Sequence, residues 1–153
     1  MKSQDLTFSF TVDQTPDQVF AALKEVGSWW PGEIKGDTDR LGGEFTYRYK
    51  DMHRSTQKVT EWVPGKRVAW QVTESHLSFV EDKGEWTGTE MVFEISRKAG
   101  KTELKFTHLG LTPKVECYGA CSDGWGYIIK DCLPAFITTG KRVAGVLESG
   151  KAA

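Results

Sequence analysis

The sequence predicts an α+β domain in which a curved antiparallel sheet of about seven strands wraps around one long C-terminal helix. Apolar and polar residues alternate from near the N-terminus, which is the pattern of strands with one buried face. Turn residues at short intervals divide the middle of the chain and favour an antiparallel meander. After Pro113, apolar residues recur at three- and four-residue steps, as in an amphipathic helix. The length of 153 residues suits one domain, 1–153.

The first elements predicted are a strand and two short helices. Residues 6–12 alternate strictly, which indicates a strand. Thr15 can cap a helix, the next residue is a proline suited to the first helical position, and Gln18 completes a capping box. Gly27 is expected to end this helix, and residues 29–32 predict a second short helical turn.

The middle of the chain predicts the remaining strands. They are expected at 33–40, 45–51, 56–63, 67–73, 87–96 and 102–108. Glycine-containing pairs at 42–43, 64–65 and 99–100 predict tight connections between neighbours. Residues 74–86 are less regular and are expected to bulge outward.

The C-terminal helix is predicted over residues 121–147. Pro134 lies inside this pattern and has no backbone N–H to donate, so a kink near Lys130 is expected unless the helix consists of two pieces.

Composition narrows the classes of function. The formal net charge is -1, so no strong positive field is available to attract nucleic acid. No stretch approaches 18 uninterrupted apolar residues, which argues against membrane insertion, and the three cysteines form an odd set that suits a reducing compartment. A cytoplasmic location is predicted. Neither a phosphate-binding loop nor a dinucleotide fingerprint occurs, and no cofactor is expected.

The predicted arrangement implies a cavity, because one helix across a curled sheet cannot fill all the space beneath it. Strand alternation assigns mostly aromatic and aliphatic side chains to the inner face, which is the lining typical of small-molecule sites. Trp29 and Trp30 either cap the mouth of this cavity or close the core. The candidate ligand-binding residues are Trp29, Trp30, Phe45, Tyr47, Trp70, Met91, Phe93, Phe106, His108, Cys121, Trp125, Ile129 and Leu133.

Several segments carry a family resemblance: TVDQTPDQVF (11–20), GGEF (42–45), PGKRVAW (64–70), WTGT (86–89), FTHLGL (106–111) and GW (124–125). In these segments the chain resembles the SRPBCC superfamily of START-like domains. Within it, the chain is similar to the Aha-type group, named after homologues of the activator of a heat-shock chaperone's ATPase. The resemblance implies the helix-grip fold. Superfamily members include lipid carriers, hormone receptors, polyketide cyclases and co-chaperone modules, so it also implies a heat-shock chaperone as a possible partner and a link to the stress response.

His108 is the candidate catalytic residue, since alternation places it on the inner face at the end of a strand. It can orient a ligand or act as a general base, or it can simply satisfy local structure through hydrogen bonds. Cys117 and Cys121 form a C-x3-C pair at the expected helix start, which suits a reactive thiol, a redox-sensitive disulfide or two buried, inert thiols. With His108 they make only three ligands at unusual spacing, so no metal site is predicted. Cys132 is expected to pack in the core.

Three functional hypotheses follow, in decreasing order of preference. The first is binding of a small apolar or amphipathic molecule between the sheet and the helix, oriented by His108 or Tyr47. The second is an enzyme that uses the same cavity for cyclisation, dehydration or hydrolysis with His108 as the base. The third is an interaction module that regulates a chaperone, which requires an exposed apolar or charged patch outside the cavity.

Overall fold

The computed structural model describes residues 5–30, 32–49, 53–78, 84, 86–112 and 118–141. Within these residues the strands are β1 (Leu6–Val12), β2 (Glu33–Gly36), β3 (Glu44–Tyr49), β4 (His53–Val63), β5 (Arg67–Leu77), β6 (Glu90–Lys98) and β7 (Lys101–Leu109). The helical elements are α1 (Pro16–Leu23), α2 (Val26–Trp29), α3 (Tyr118–Tyr127), a π-helical segment (Ile128–Cys132) and α4 (Leu133–Thr139).

All seven strands form one antiparallel sheet in the order β1-β7-β6-β5-β4-β3-β2. The last strand, β7, lies beside the first, β1, and every other pair joins strands that follow each other in the chain. Register shifts between β4 and β5, at Thr56/Gln57 and Val59/Glu61, are bulges of the kind that increase local twist. The predicted class, a curved antiparallel sheet with two short early helices and a C-terminal helix, is confirmed.

Some strand boundaries differ from the predictions. β2 ends at Gly36 instead of residue 40, because Gly36 has a φ of 122° and leaves no room for a side chain against the backbone of Glu44. β4 starts at His53, three residues earlier than predicted, and β5 continues to Leu77, so these two strands pair across the segment expected to bulge. β6 begins only at Glu90, because residues 86–88 form a turn.

The helix start at Thr15 is as predicted, and the helix end is not. The Thr15 hydroxyl accepts from the Gln18 backbone N–H at 3.1 Å, and the Gln18 side chain accepts from the Thr15 N–H at 2.9 Å. Gly27, expected to end α1, lies inside α2. The carbonyl of Leu23, the last residue of α1, accepts instead from the indole Nε1 of Trp29 at 3.1 Å.

The C-terminal helical stretch begins at Tyr118 and ends at Thr139. Gly140 adopts a left-handed φ of 73° and donates to the Phe136 carbonyl at 2.8 Å, so the prediction of a helix continuing to residue 147 is wrong at this point. Residues 142–147 lie outside the described residues.

An irregularity occurs near Lys130, where Pro134 predicts it. Residues Ile128–Cys132 are π-helical, and the Leu133 N–H bonds to the Ile128 carbonyl five residues back. Pro134 cannot donate the next bond, so the wider turn absorbs the missing donor. The stretch lies against β1, where the Lys130 ammonium donates to the Ser9 carbonyl at 2.8 Å.

The core lies between the inner face of the sheet and these helices, and α4 also packs on α1. Among the described residues, no helix is both long enough and apolar enough to cross a membrane.

Candidate functional site

Aromatic rings from the sheet, α2 and α3 pack together beneath the C-terminal helical stretch. Trp30 stacks on Tyr47 with ring centroids 3.9 Å apart. Trp125 of α3 lies 5.1 Å from Trp30 and 4.5 Å from Phe106, by ring centroids. The aromatic cluster comprises Trp29, Trp30, Tyr47, Trp70, Trp86, Phe93, Phe106 and Trp125. None of its members is more than 4% exposed.

The candidate ligand-binding residues all lie in this buried region. Their exposed fractions range from 0% to the 8% of Cys121. The apolar members belong to one contiguous core, and His108 joins it through a hydrogen bond to Trp125. They are Trp29, Trp30, Phe45, Tyr47, Trp70, Met91, Phe93, Phe106, His108, Cys121, Trp125, Ile129 and Leu133. Their role in binding a ligand stays a prediction.

The space expected to be hollow is occupied by the rings of the aromatic cluster. The inward residues predicted from strand alternation did not include Trp86, which lies in the turn before β6. Trp86 is 3% exposed and stacks on Trp125 with centroids 6.0 Å apart. Trp29 and Trp30 also close the core, with exposures of 0% and 2%.

Two clefts lie at the surface of the described residues, away from the aromatic cluster. One, of about 530 Å³, runs between α2 and β2 and is lined by Glu25, Ile34 and Thr38 among others. The other, of about 520 Å³, lies where the start of α1 meets the β4–β5 turn and the end of β6, beside Asp17 and Arg97. Both clefts are open to solvent, and neither is lined by any of the predicted ligand-binding residues.

His108 is fully buried, and both ring nitrogens have partners. The Trp125 indole Nε1–H donates to His108 Nδ1 at 3.1 Å, so Nδ1 carries no proton. The Nε2–H then donates to the Thr89 hydroxyl at 2.8 Å, and Thr89 donates in turn to the Trp86 carbonyl at 2.6 Å. These bonds define the neutral tautomer with its proton on Nε2.

This arrangement removes the conditions for general-base catalysis by His108. Burial, with a smaller contribution from neighbouring His53, lowers the pKa of His108 to about 3. The one lone pair that could take a substrate proton already accepts from Trp125. His108 holds Thr89 and Trp125 in place, which is the structural alternative recognised from the sequence.

A row of polar side chains crosses the inner face of β4. We call His53, Ser55 and Gln57 the β4 polar row. The Gln57 amide Nε2 donates to the Ser55 hydroxyl at 2.5 Å, and the Ser55 oxygen lies 3.1 Å from His53 Nε2. Part of the His53 residue is exposed, but its ring lies against the rings of Tyr47 and Trp86, and burial lowers the pKa of His53 to about 3.

Three buried polar atoms on or beside this row lack a hydrogen-bond partner among the described residues: the Gln57 Oε1, the Trp70 Nε1 and the Trp86 Nε1. Their residues are 0%, 1% and 3% exposed. A fourth such atom, the Gln14 Oε1, lies elsewhere, between β1 and α1. Buried polar groups in proteins are nearly always paired with protein or ordered water, and an unpaired one costs about 1–3 kcal/mol. An apolar interior with three such atoms can therefore form hydrogen bonds to a molecule that enters it.

Sequence reasoning missed His53 and Ser55 because the strand was predicted to start at residue 56, and it missed Gln57 because no inward residues were assigned to that strand. A usable signal was present: His53, Ser55 and Gln57 alternate with Arg54 and other residues that point outward. Continuing the period-two pattern by three residues would have placed all three on the inner face.

The cysteines show no sign of reactivity in the described residues. Cys121 and Cys132 are buried free thiols, and burial raises the pKa of Cys132 to about 11. Cys117 lies outside the described residues, so its predicted pairing with Cys121 stays a prediction. In the described part of the chain, no group of three or more metal-ligating side chains comes together.

Comparison with known proteins gives similarity over most of the chain. The chain shares 23% identity with the Aha1 dimer from Colwellia psychrerythraea, at a TM-score of 0.72 over 90% of this chain and 98% of that one. Protein MLL2253 from Mesorhizobium loti shares 14% identity, at a TM-score of 0.71 over 88% and 98%. CalU16 from Micromonospora echinospora shares 20% identity, at a TM-score of 0.61 over 88% and 76%. At these identities the likeness shows the fold alone, and no curated protein sequence matches the chain.

The sequence profile described as Activator of Hsp90 ATPase homolog 1-like protein matches residues 13–137. This range starts before α1 and reaches into α4, so it includes the aromatic cluster and the β4 polar row. The resemblance inferred from the sequence motifs is confirmed, and the chain belongs to the Activator of Hsp90 ATPase homolog 1-like family, the Aha-type group of the SRPBCC superfamily.

Proposed function

We propose that the chain binds a small, mostly apolar molecule between the inner face of the sheet and the C-terminal helical stretch. The observation that carries this proposal is the set of unpartnered polar atoms on Gln57, Trp70 and Trp86 inside an interior that is otherwise apolar. A core built only for stability gains nothing from such atoms, whereas a bound molecule can pair with them. The family supports the proposal, since helix-grip domains commonly take hydrophobic ligands.

Because the rings of the aromatic cluster occupy this space, binding requires some of them to move. Trp30 and Trp125 are the rings placed to do so, since they contact each other and connect the short helix α2 to α3. The π-helical segment follows α3 directly, and such wider turns are frequent at functional sites. A ligand would thus replace contacts between rings with contacts to its own apolar surface.

A thermal-shift screen with lipids, aromatic polyketides and terpenoids tests this proposal. A ligand that binds only the folded state at a hundred times its Kd adds about 2.7 kcal/mol. For a domain of this size that raises Tm by about 5–10 °C. The fluorescence of the six tryptophans should change with the same ligands, since most of them lie in the aromatic cluster. A broad screen that changes neither Tm nor fluorescence would refute the proposal.

Regulation of a heat-shock chaperone is the second candidate, and the family match supports it. The large hydrophobic residues exposed in the described part of the chain, Leu41, Val63 and Leu109, belong to three separate strand ends or connections and give no continuous apolar patch. A stimulated ATPase rate when this chain is added to the chaperone would support this candidate, and an unchanged rate would exclude it. A cytoplasmic location is part of both proposals.

The enzymatic alternative has less support. It needs a reachable base, and His108 is buried with both ring nitrogens in hydrogen bonds. We therefore rank cyclisation, dehydration and hydrolysis below both binding functions.

A further inference from the structure

We infer that the molecule bound in the interior is uncharged and carries a hydroxyl group that bridges the Trp70 Nε1–H and the Gln57 Oε1. This inference rests on the proposed function and specifies the chemistry of its ligand. It follows from three features: the places of the two atoms on the sheet, their hydrogen-bonding roles, and the charge of the surrounding interior.

Gln57 and Trp70 are neighbours on adjacent strands. In the β4–β5 register, Gln57 pairs with Val72 and Val59 pairs with Trp70, so the two side chains occupy diagonal positions on the inner face. Diagonal positions lie about 7–8 Å apart at the backbone, a spacing that long and aromatic side chains span, so one ligand group can meet both side chains. Phe45 connects them, since it is the cross-strand partner of Gln57 and its ring centroid lies 4.9 Å from that of Trp70.

The two unpartnered atoms need opposite partners. An indole Nε1–H can only donate, and an amide oxygen can only accept. A hydroxyl is the simple neutral group that does both, because its oxygen accepts from Trp70 while its proton goes to Gln57. A carbonyl would serve Trp70 alone and leave Gln57 Oε1 unpaired. In this orientation of the Gln57 amide, its nitrogen donates to Ser55 and its oxygen is the free end.

The charge of the interior argues against an anionic ligand. The buried polar residues in the described part of the chain are Ser55, Gln57, Thr102 and His108, and none of them is a lysine or arginine. A carboxylate moved there would lose its hydration without gaining a counter-charge, which is costly. Histidine does not supply that charge, since burial keeps His108 neutral near pH 7. The Trp86 Nε1 can donate to a second oxygen on a longer ligand.

The test compares three probes of one shape on the full chain: 2-naphthol, naphthalene and 2-naphthoate. Binding is followed by the indole N–H signals in two-dimensional NMR, with the Trp70 signal assigned from its absence in Trp70→Phe. We expect 2-naphthol to bind about ten- to a hundredfold more tightly than naphthalene, with 2-naphthoate the weakest. We also expect 2-naphthol alone to move the Trp70 signal downfield, as a new hydrogen bond should.

A matched pair of variants isolates Gln57. Gln57→Met keeps the volume and removes the acceptor, so the preference for 2-naphthol should fall to a few-fold. Gln71→Met changes an exposed glutamine of the same strand pair and should leave the preference intact.

Each outcome has one meaning. Equal binding of 2-naphthol and naphthalene by the wild-type chain shows that the hydroxyl gains no hydrogen bond from the two atoms, and it overturns the inference while leaving the proposed function in place. Tightest binding of 2-naphthoate overturns the inference as well. If none of the three probes binds although the thermal-shift screen finds a ligand, the inference fails and the proposed function stands; if the screen finds none as well, both fail.

Discussion

Replacing Trp29 and, separately, Trp70 by phenylalanine measures what an unpartnered indole N–H costs in this core. The two residues are 0% and 1% exposed, and both rings contact Trp30 and Phe93. Both substitutions replace an indole by a phenyl ring in a similar environment. The free energies lost through apolar transfer and through the new cavity are therefore nearly equal, and they cancel when the two variants are compared. The difference that remains is the hydrogen bond.

The Trp29 N–H donates to the Leu23 carbonyl at 3.1 Å, and the Trp70 N–H has no acceptor among the described residues. Trp29→Phe therefore breaks this hydrogen bond and leaves the carbonyl of Leu23, a residue that is 1% exposed, without the indole donor. Trp70→Phe breaks no bond and removes an unpaired donor. On typical values the Trp29 variant should be less stable than the Trp70 variant by about 1–3 kcal/mol. That difference corresponds to about 2–12 °C in Tm for a domain of this size.

Urea unfolding of both variants, with the midpoint and the slope m determined for each, is the suitable assay. Equal slopes are needed for the comparison, since a changed slope signals a changed denatured or native state. If the Trp70 variant is as destabilised as the Trp29 variant, or more so, the Trp70 indole has a partner in solution. The interpretation that the Trp70 N–H is unpaired in the ligand-free protein would then be wrong.

Three further predictions concern pH, the His108 network and the surface ion pairs of Arg67. His53 and His108 have folded pKa values of about 3 against an unfolded value near 6.5, so their effect on the free energy of unfolding should level off above about pH 7.5. At pH 5 the free energy of unfolding should be lower by about 2 kcal/mol per histidine. Equal free energies of unfolding from urea titrations at pH 7.5 and 5.0 would contradict this. Thr89→Val removes the hydroxyl that bonds to His108 Nε2 and to the Trp86 carbonyl, and it should lower the free energy of unfolding by about 2 kcal/mol. Thr89→Ser keeps the hydroxyl and should lower it by less than about 1 kcal/mol in the same assay. Arg67→Ala breaks two ion pairs, with the exposed Glu61 and Glu94, and should cost less than about 1 kcal/mol, with a loss that shrinks further in high salt. A loss above about 2 kcal/mol would assign these ion pairs a structural role.

The order of elements and the strand pairing could be predicted because local patterns decide them. Strict alternation in residues 6–12 and the capping box at Thr15 are consistent with each other and with the fold. The end of α1 could not be predicted locally. Gly27 is the stronger stop signal in the sequence, but the Trp29 indole satisfies the carbonyl of Leu23 and ends the helix four residues earlier. Such a bond depends on packing and leaves no periodic trace.

The location of the candidate site could be predicted from the sequence, but its buried polar side chains could not. Apolar residues on inward positions identified the region beneath the helix, since alternation gives the face of each side chain. Polar inward residues such as Ser55 and Gln57 resemble ordinary exposed residues until the register is known. Trp86 lies in a turn and has no face to assign, yet it fills space beside Trp125 that the strands leave open.

Tight packing and unpaired polar atoms in one interior have different consequences for the folded state. The rings of the aromatic cluster keep water out, and this strengthens any hydrogen bond made inside by lowering the local dielectric. The same exclusion makes the free Gln57 Oε1, Trp70 Nε1 and Trp86 Nε1 costly, at about 1–3 kcal/mol each, against a total stability that is typically only 5–15 kcal/mol. An occupant that pairs with them recovers this free energy in addition to the gain from its apolar surface. Affinity should therefore depend more on one correctly placed hydroxyl than on the size of the ligand.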